Sequence, residues 1–90
     1  MEKVYIISLM YCDGYGSDIE FKVASTKEKA KEVLNNWALE EEQLTWIGDY
    51  EQDELDEYEF SEEYFDAQYG EKRTTIWITE KEVLWWKNLI

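Results

Sequence analysis

Between Glu32 and Glu71 the chain carries fifteen carboxylates and not one lysine or arginine. Like charges crowded into one segment repel each other in any compact state. Such a segment is either unfolded or held on a scaffold that bears the repulsion. Its middle, "GDYEQDELDEYEFSEEYFDAQYG" from Gly48 to Gly70, holds ten acids and six aromatic rings. Disordered acidic tails are poor in rings. The rings of Tyr50, Tyr58, Phe60, Tyr64, Phe65 and Tyr69 therefore predict a segment pinned onto a core.

Outside this window the charge nearly balances. Residues 1–31 hold five acids and five bases, and residues 72–90 hold two acids and four bases. The net charge of −13 thus resides almost wholly in the middle of the chain. It argues against direct binding of nucleic acid or of an anionic membrane, and for a basic partner or for water alone.

Ninety residues predict one domain, 1–90, of a size at which burial is marginal. Five Trp, seven Tyr and three Phe offset this, since each ring can bury roughly 150–250 Å². The single cysteine, Cys12, excludes an intramolecular disulfide and fits a reducing cytoplasm. The apolar N-terminal run is strand-length and lacks a cleavage site, and no stretch approaches the roughly 18 apolar residues of a membrane span. The expectation is a soluble cytoplasmic protein without membrane contact.

"KVYIISLMY" from Lys3 to Tyr11 reads as a strand, "CDGYGSD" as a hairpin loop and "IEFKVA" as a half-buried antiparallel strand. In that strand Ile19, Phe21 and Val23 face one way, and Glu20 and Lys22 the other. A helix follows. Ser25 and Glu28 match a capping box, Ala30, Val33, Leu34 and Trp37 form one apolar stripe, and the helix is expected to end near Glu42. "LTWIG" is a short strand or a connector. "DELDEYEF" fits a strand with Tyr58 and Phe60 inward and Glu57 and Glu59 outward, or a helix aligning Leu55, Tyr58 and Phe65. "SEEYFDAQYG" reads better as a short helix from Ser61 to a stop at Gly70. "KRTTIWIT" is a strand. Thr79 and Glu82 then cap a terminal helix "EKEVLWWKNLI", with a strand continuing through Val83 as the competing reading. The predicted fold is α+β, a small antiparallel sheet made of the N-terminal hairpin and a later strand. It packs against one main helix, with one or two further short helices.

Catalysis finds little support. Without histidine there is no ordinary base near neutral pH and no Ser-His-Asp or Cys-His arrangement. Cys12 has no nameable base and reads as a half-buried strand-end residue. Among twenty-two acids, carboxylate pairs arise by chance. Gly14 and Gly16 lie in a loop flanked by aspartates and followed by a strand, which does not suit phosphate. "DYEQDELDEYEF" lacks the glycine at position 6 and the glutamate at position 12 of a calcium loop. The chain is expected to be no enzyme and to use no metal or cofactor.

Electrostatic mimicry is the reading that uses the acids. B-DNA carries one charge per about 1.7 Å of axis, and dense carboxylates on a fixed scaffold can imitate that line of charge. The residues expected to meet a basic partner are Asp49, Glu51, Asp53, Glu54, Asp56, Glu57, Glu59, Glu62, Glu63 and Asp66, with Tyr50, Tyr58 and Tyr64 as anchors. An equally simple reading makes the same run a solvated face.

In size, charge, lack of catalytic residues and the run "DYEQDELDEYEFSEEYFD", the chain resembles small acidic anti-defence proteins of phages and mobile elements, of the DNA-mimicking anti-CRISPR or anti-restriction type. The opening "KVYIISLMYCDGYGSDIEFKVASTKEKAKEVL" resembles the strand–hairpin–strand–capped-helix start of many small bacterial and phage proteins. The first resemblance implies an inhibitor in the cytoplasm of a bacterial host. Such an inhibitor occludes the DNA- or guide-binding cleft of a nuclease, a CRISPR effector among them. The alternative is a structural or adaptor module that self-associates through the Trp-rich C-terminal segment "VLWWKNLI", with Val83, Leu84, Trp85, Trp86, Leu89 and Ile90. That segment could also simply close the core.

Overall fold

The computed structural model describes residues 2–83 of the chain. They form an α+β fold larger in its sheet than the sequence predicts. Five antiparallel strands run β1 (Lys3–Cys12), β2 (Ser17–Ala24), β3 (Glu57–Phe60), β4 (Tyr64–Tyr69) and β5 (Lys72–Glu82). Their spatial order is β2-β1-β5-β4-β3. Among the described residues the one α-helix, α1 (Lys27–Leu44), follows β2, and two 3₁₀ turns, Trp46–Asp49 and Gln52–Glu54, lead into β3.

The first hairpin forms where expected. Gly14 takes a positive φ of 88°, and Asp13 Oδ1 accepts from the N–H groups of Tyr15 at 2.9 Å and Gly16 at 3.1 Å. A carboxylate that ties down two turn amides replaces water at a loop that no ladder reaches. The cap of α1 lies one residue beyond the predicted Ser25: the hydroxyl of Thr26 accepts from the N–H of Lys29 at 3.1 Å. The helix buries Ala30, Leu34, Trp37 and Ala38, as the period of 3.6 requires.

The predicted short helix over Ser61–Gly70 is absent. Tyr64–Tyr69 is strand β4, paired with β3 on one side and β5 on the other. Ser61 and Gly70 carry helix start and stop signals, but they serve other turns. Ser61 N–H donates to the Tyr64 carbonyl at 2.8 Å, closing the β3–β4 connection. Gly70, with φ of 59°, begins the two-residue link between Tyr69 and its partner Lys72. A first central residue with φ above zero is what a tight hairpin needs. Two flanking strands offer Phe65 and Ala67 complete burial, which a two-turn surface helix does not. In the same way Glu80–Glu82 continue β5 instead of opening a helix at Thr79. Leu84 to Ile90 of the expected terminal segment lie outside the described residues.

One face of the sheet is covered. Ile7, Leu9, Phe65, Ala67 and Ile76 are buried there with Ala30, Leu34, Trp37, Ala38 and Ile47. The 3₁₀ turns close this layer: Trp46 Nε1–H donates to the Thr74 hydroxyl at 2.9 Å, and the ring of Tyr50 stacks on Tyr69 at 4.2 Å. The strand reading of "DELDEYEF" holds, with Tyr58 and Phe60 edge-on to Phe65 at 6.0 and 5.4 Å and with Glu57 and Glu59 exposed.

Strand β2 is not half-buried as its alternation predicts; only Ala24 is buried. Register places Lys22 beside Ile7 and Glu20 beside Leu9, on the helix side, where Lys22 Nζ lies 4.3 Å from the centre of the Trp37 ring. Ile19, Phe21 and Val23 lie on the opposite face and are 54, 64 and 66% exposed. Alternation separates two faces but does not say which one the helix covers. Here β1 decides, because its odd residues Ile7 and Leu9 point to the helix and the pairing fixes β2 against them.

At the C-terminal end of α1, partial burial holds the Glu41 carboxyl above the usual carboxylate range, and nearby Glu20 and Glu40 push the same way. A raised carboxylate pKa favours the neutral form, so ionised Glu41 weakens the fold above that pKa and the penalty disappears on acidification. Glu41→Gln is therefore expected to raise the melting temperature at pH 7 by about 2 °C. The gain should vanish near pH 3, where the carboxyl is protonated in both states. Melts of both proteins across that range check this.

Candidate functional site

The acidic run folds as an edge. Asp49 and the two 3₁₀ turns run through the helix-side layer, where Ile47 and Leu55 pack on the core, and β3 with the β3–β4 connection then forms the border of the sheet farthest from β2. Nine of the ten acids between Gly48 and Gly70 are exposed: Asp49, Glu51, Asp53, Glu54, Asp56, Glu57, Glu59, Glu62 and Glu63.

The rings beneath them are fixtures. Tyr50 is half-buried, stacked on Tyr69 and edge-on to Trp46 at 6.2 Å. Tyr58 packs on Phe65, and its hydroxyl donates to the carboxylate of Glu42 at the end of α1. Burial and that acid together push the Tyr58 phenol well above its ordinary range, so it stays a donor at any ordinary pH. Tyr64 is half-buried on the other face, in register with Trp77. The anchors named from sequence thus hold the acidic edge in place and present little free ring surface.

Local geometry fixes the backbone of the edge as well. Glu51 and Glu54 form a reciprocal capping box around the second 3₁₀ turn. Asp56 Oδ2 accepts from the N–H of Gly70 at 2.7 Å, tying the entry of β3 to the β4–β5 turn. Such bonds use one lone pair each and leave the other acceptor sites of these exposed carboxylates facing water.

Three of the predicted contact acids already pair with basic side chains. Glu62 meets Lys31 at 3.3 Å and Glu63 meets Lys27 at 3.1 Å, both across to α1, and the Glu63 bond holds Lys27 above the usual ammonium range. Asp66 is the clear departure. It is 6% exposed and sits on the open face of β4. Arg73 Nε and Nη2 each donate to it at 2.9 Å, and the Thr75 hydroxyl donates at 3.0 Å. That bidentate bond also pushes the Arg73 guanidinium above its ordinary range. Asp66 is buried and spends three of its four acceptor sites inside the sheet, so it belongs to the sheet and not to an outside partner. The remaining seven acids, Asp49 to Glu59, have no basic side chain at ion-pair distance among the described residues.

The open face grades from apolar to acidic. One row across the strands reads Ile19, Met10, Thr75, Asp66, Glu59, and the next reads Phe21, Ser8, Trp77, Tyr64. Sequence reasoning found the acidic end from composition and missed the apolar end, whose signal is the clean alternation of "IEFKV".

Among the described residues no three Asp, Glu or Cys side chains converge as metal ligands. No described helix is long and apolar enough to cross a membrane. No family model, curated protein or solved structure matches the chain.

Proposed function

We propose that the protein is a non-enzymatic inhibitor whose acidic edge imitates nucleic acid and blocks a basic nucleic-acid-binding cleft. The partner is a nuclease of host defence, such as a CRISPR effector. One observation carries the reading: seven exposed carboxylates, Asp49 to Glu59, lie on the bonded and ring-pinned run that leads into the β3 edge, with no basic side chain at ion-pair distance among the described residues. A preformed charged edge does not have to be ordered on binding, so most of its attraction remains for the partner. Glu57 and Glu59 alternate on β3 and stand about 6.8 Å apart, half the linear density of one DNA strand. The turns before them add Asp49, Glu51, Asp53, Glu54 and Asp56.

The test is capture from bacterial lysate on the immobilised chain at low salt, eluted by a salt gradient. A nucleic-acid-binding protein should elute and should be displaced by duplex DNA. The variant Asp49→Asn/Asp53→Asn/Glu57→Gln/Glu59→Gln should bind it roughly 10- to 100-fold more weakly, at a few tenths of a kcal/mol or more per exposed pair. Recovery of no nucleic-acid-binding protein rejects the proposal.

A second reading, an adaptor that associates through apolar surface, draws on exposed Ile19, Phe21 and Val23. Its complexes would survive high salt, whereas mimicry gives a salt-sensitive one.

A further inference from the structure

The two edges of the sheet differ in kind. β3 ends the sheet with Glu57 and Glu59, and charges of one sign on an edge keep a second sheet away. β2 ends it with "SDIEFKVA", and no strand among the described residues pairs with its outer side. The phase of the ladder can be read from two bonds. Asp13 N–H donates to the Gly16 carbonyl at 3.3 Å, and Val83 N–H donates to the Glu2 carbonyl at 2.9 Å. Antiparallel pairs alternate between bonded and non-bonded. Odd residues of β1 therefore bond to β2, and even residues bond to β5. On β2 the even residues are consumed, and Ile19, Phe21 and Val23 point their N–H and C=O groups outward into solvent.

Those three residues are also the ones whose side chains are exposed on the open face. The strand thus offers free main-chain hydrogen bonds and apolar side chains at the same positions. It is the part of the molecule with least net charge, since residues 1–31 balance.

We infer that β2 is the self-association edge of this protein, and that a second copy of the chain pairs with it antiparallel about a two-fold axis at Phe21. The sequence is self-complementary about that residue. Ile19 comes opposite the partner's Val23, Phe21 opposite the partner's Phe21, and Glu20 opposite the partner's Lys22. Three pairs exchange two main-chain bonds each. Between them Glu20 and Lys22 form opposite-charge pairs at the non-bonded positions, where side chains stand closest. A lysine in mid-edge ordinarily repels an identical edge. Here the two-fold axis turns it into an attraction, because the residue opposite it is an acid. Glu20 and Lys22 of one copy both lie near Glu41 on the helix side, and the partner's Lys22 adds a second cation there.

Charge over longer range favours this arrangement over any other pairing of two highly acidic copies. With β2 on β2 the ten strands form one sheet, and the two β3 edges stand nine strand spacings apart, about 43 Å. The Debye length at physiological salt is about 8 Å, so the acidic edges do not sense each other. The interface is isologous and closes at two copies. It does not depend on the acidic edge having a partner.

Sedimentation velocity of the full chain over a range of concentrations, in about 0.15 M salt, tests the inference. A reversible monomer–dimer equilibrium is expected. Phe21→Lys places like charges on the axis and should weaken it at least about tenfold. The position is exposed, so far-UV spectra should be unchanged. Glu20→Lys and Lys22→Glu should each weaken the dimer by about tenfold, and the double exchange should restore it to within about threefold, because it regenerates the complementary pairs. A protein that stays monomeric overturns the inference, and so does a dimer indifferent to Phe21→Lys. A double exchange no better than the single ones overturns it as well. A dimer lost only when residues 84–90 are removed assigns association to the C-terminal segment instead.

Discussion

Phe65→Ala is expected to lower the stability of the fold by about 3–5 kcal/mol and to leave a substantial fraction of the chains unfolded on mild heating. Phe65 is fully buried on β4, between β3 and β5, and its ring receives Tyr58 and Phe60 edge-on. Alanine would leave a cavity under both rings. The neighbours cannot collapse into it easily, because β3 is held by its ladder with β4 and Tyr58 is tied to Glu42. A domain of this length has a total stability of roughly 5–13 kcal/mol, toward the low end when it is small and highly charged. One ring thus accounts for a large share of the margin. Urea unfolding followed by tryptophan fluorescence should show the midpoint fall by about 2 M at an unchanged slope. A shift below about 0.5 M would mean that β3 and the acidic edge are not held through this ring.

Asp66→Ala is expected to cost about 2–3 kcal/mol, whereas Glu59→Ala, its neighbour in register on the same open face, should cost less than about 0.5 kcal/mol. The contrast follows from burial. Asp66 accepts three hydrogen bonds, two from Arg73 and one from Thr75. Its removal leaves the buried Thr75 hydroxyl without a partner and loses a bidentate charge pair across the β4–β5 hairpin. The Arg73 side chain is 43% exposed and regains water, which keeps the loss below that of a fully buried pair. Glu59 is exposed, and its carboxylate has no basic side chain at ion-pair distance among the described residues. In a binding assay the order should reverse: Glu59→Gln should weaken capture of a basic partner, and a folded Asp66→Asn should not. Thermal melts of the variants together with the salt-gradient capture separate the acid that builds the sheet from the acids that face outward.

Much of the fold was legible along the chain because its signals are local. The stripe Ala30, Val33, Leu34, Trp37 gives α1 without knowledge of what it packs on. The glycine-rich turn between Tyr11 and Ile19 gives the first hairpin, and "KRTTIWIT" gives the middle strand of the sheet. The acidic edge was legible as composition: ten acids and six rings in one run leave little choice but a folded, charged surface. β4 was not legible. Ser61 and Gly70 carry real start and stop chemistry, and only the two flanking strands turn Phe65 and Ala67 into ladder residues. The Asp66–Arg73 pair was hidden for the same reason, since seven positions along the chain become adjacent only across a hairpin. The cap at Thr26 in place of Ser25 shows the usual one-residue tolerance of helix ends.

Sequence alone determined where the charge lies, which residues form the main helix, that the rings tie the acidic run to a core, and that β2 has one apolar and one polar side. Each of these depends on near neighbours or on composition. Tertiary structure decided which side of β2 the helix covers, which acid is spent inside the sheet, and that the apolar and acidic residues of the open face lie at opposite edges. Those outcomes depend on strand order and register. They are set by the burial of residues far apart in the chain, and no local pattern carries that information.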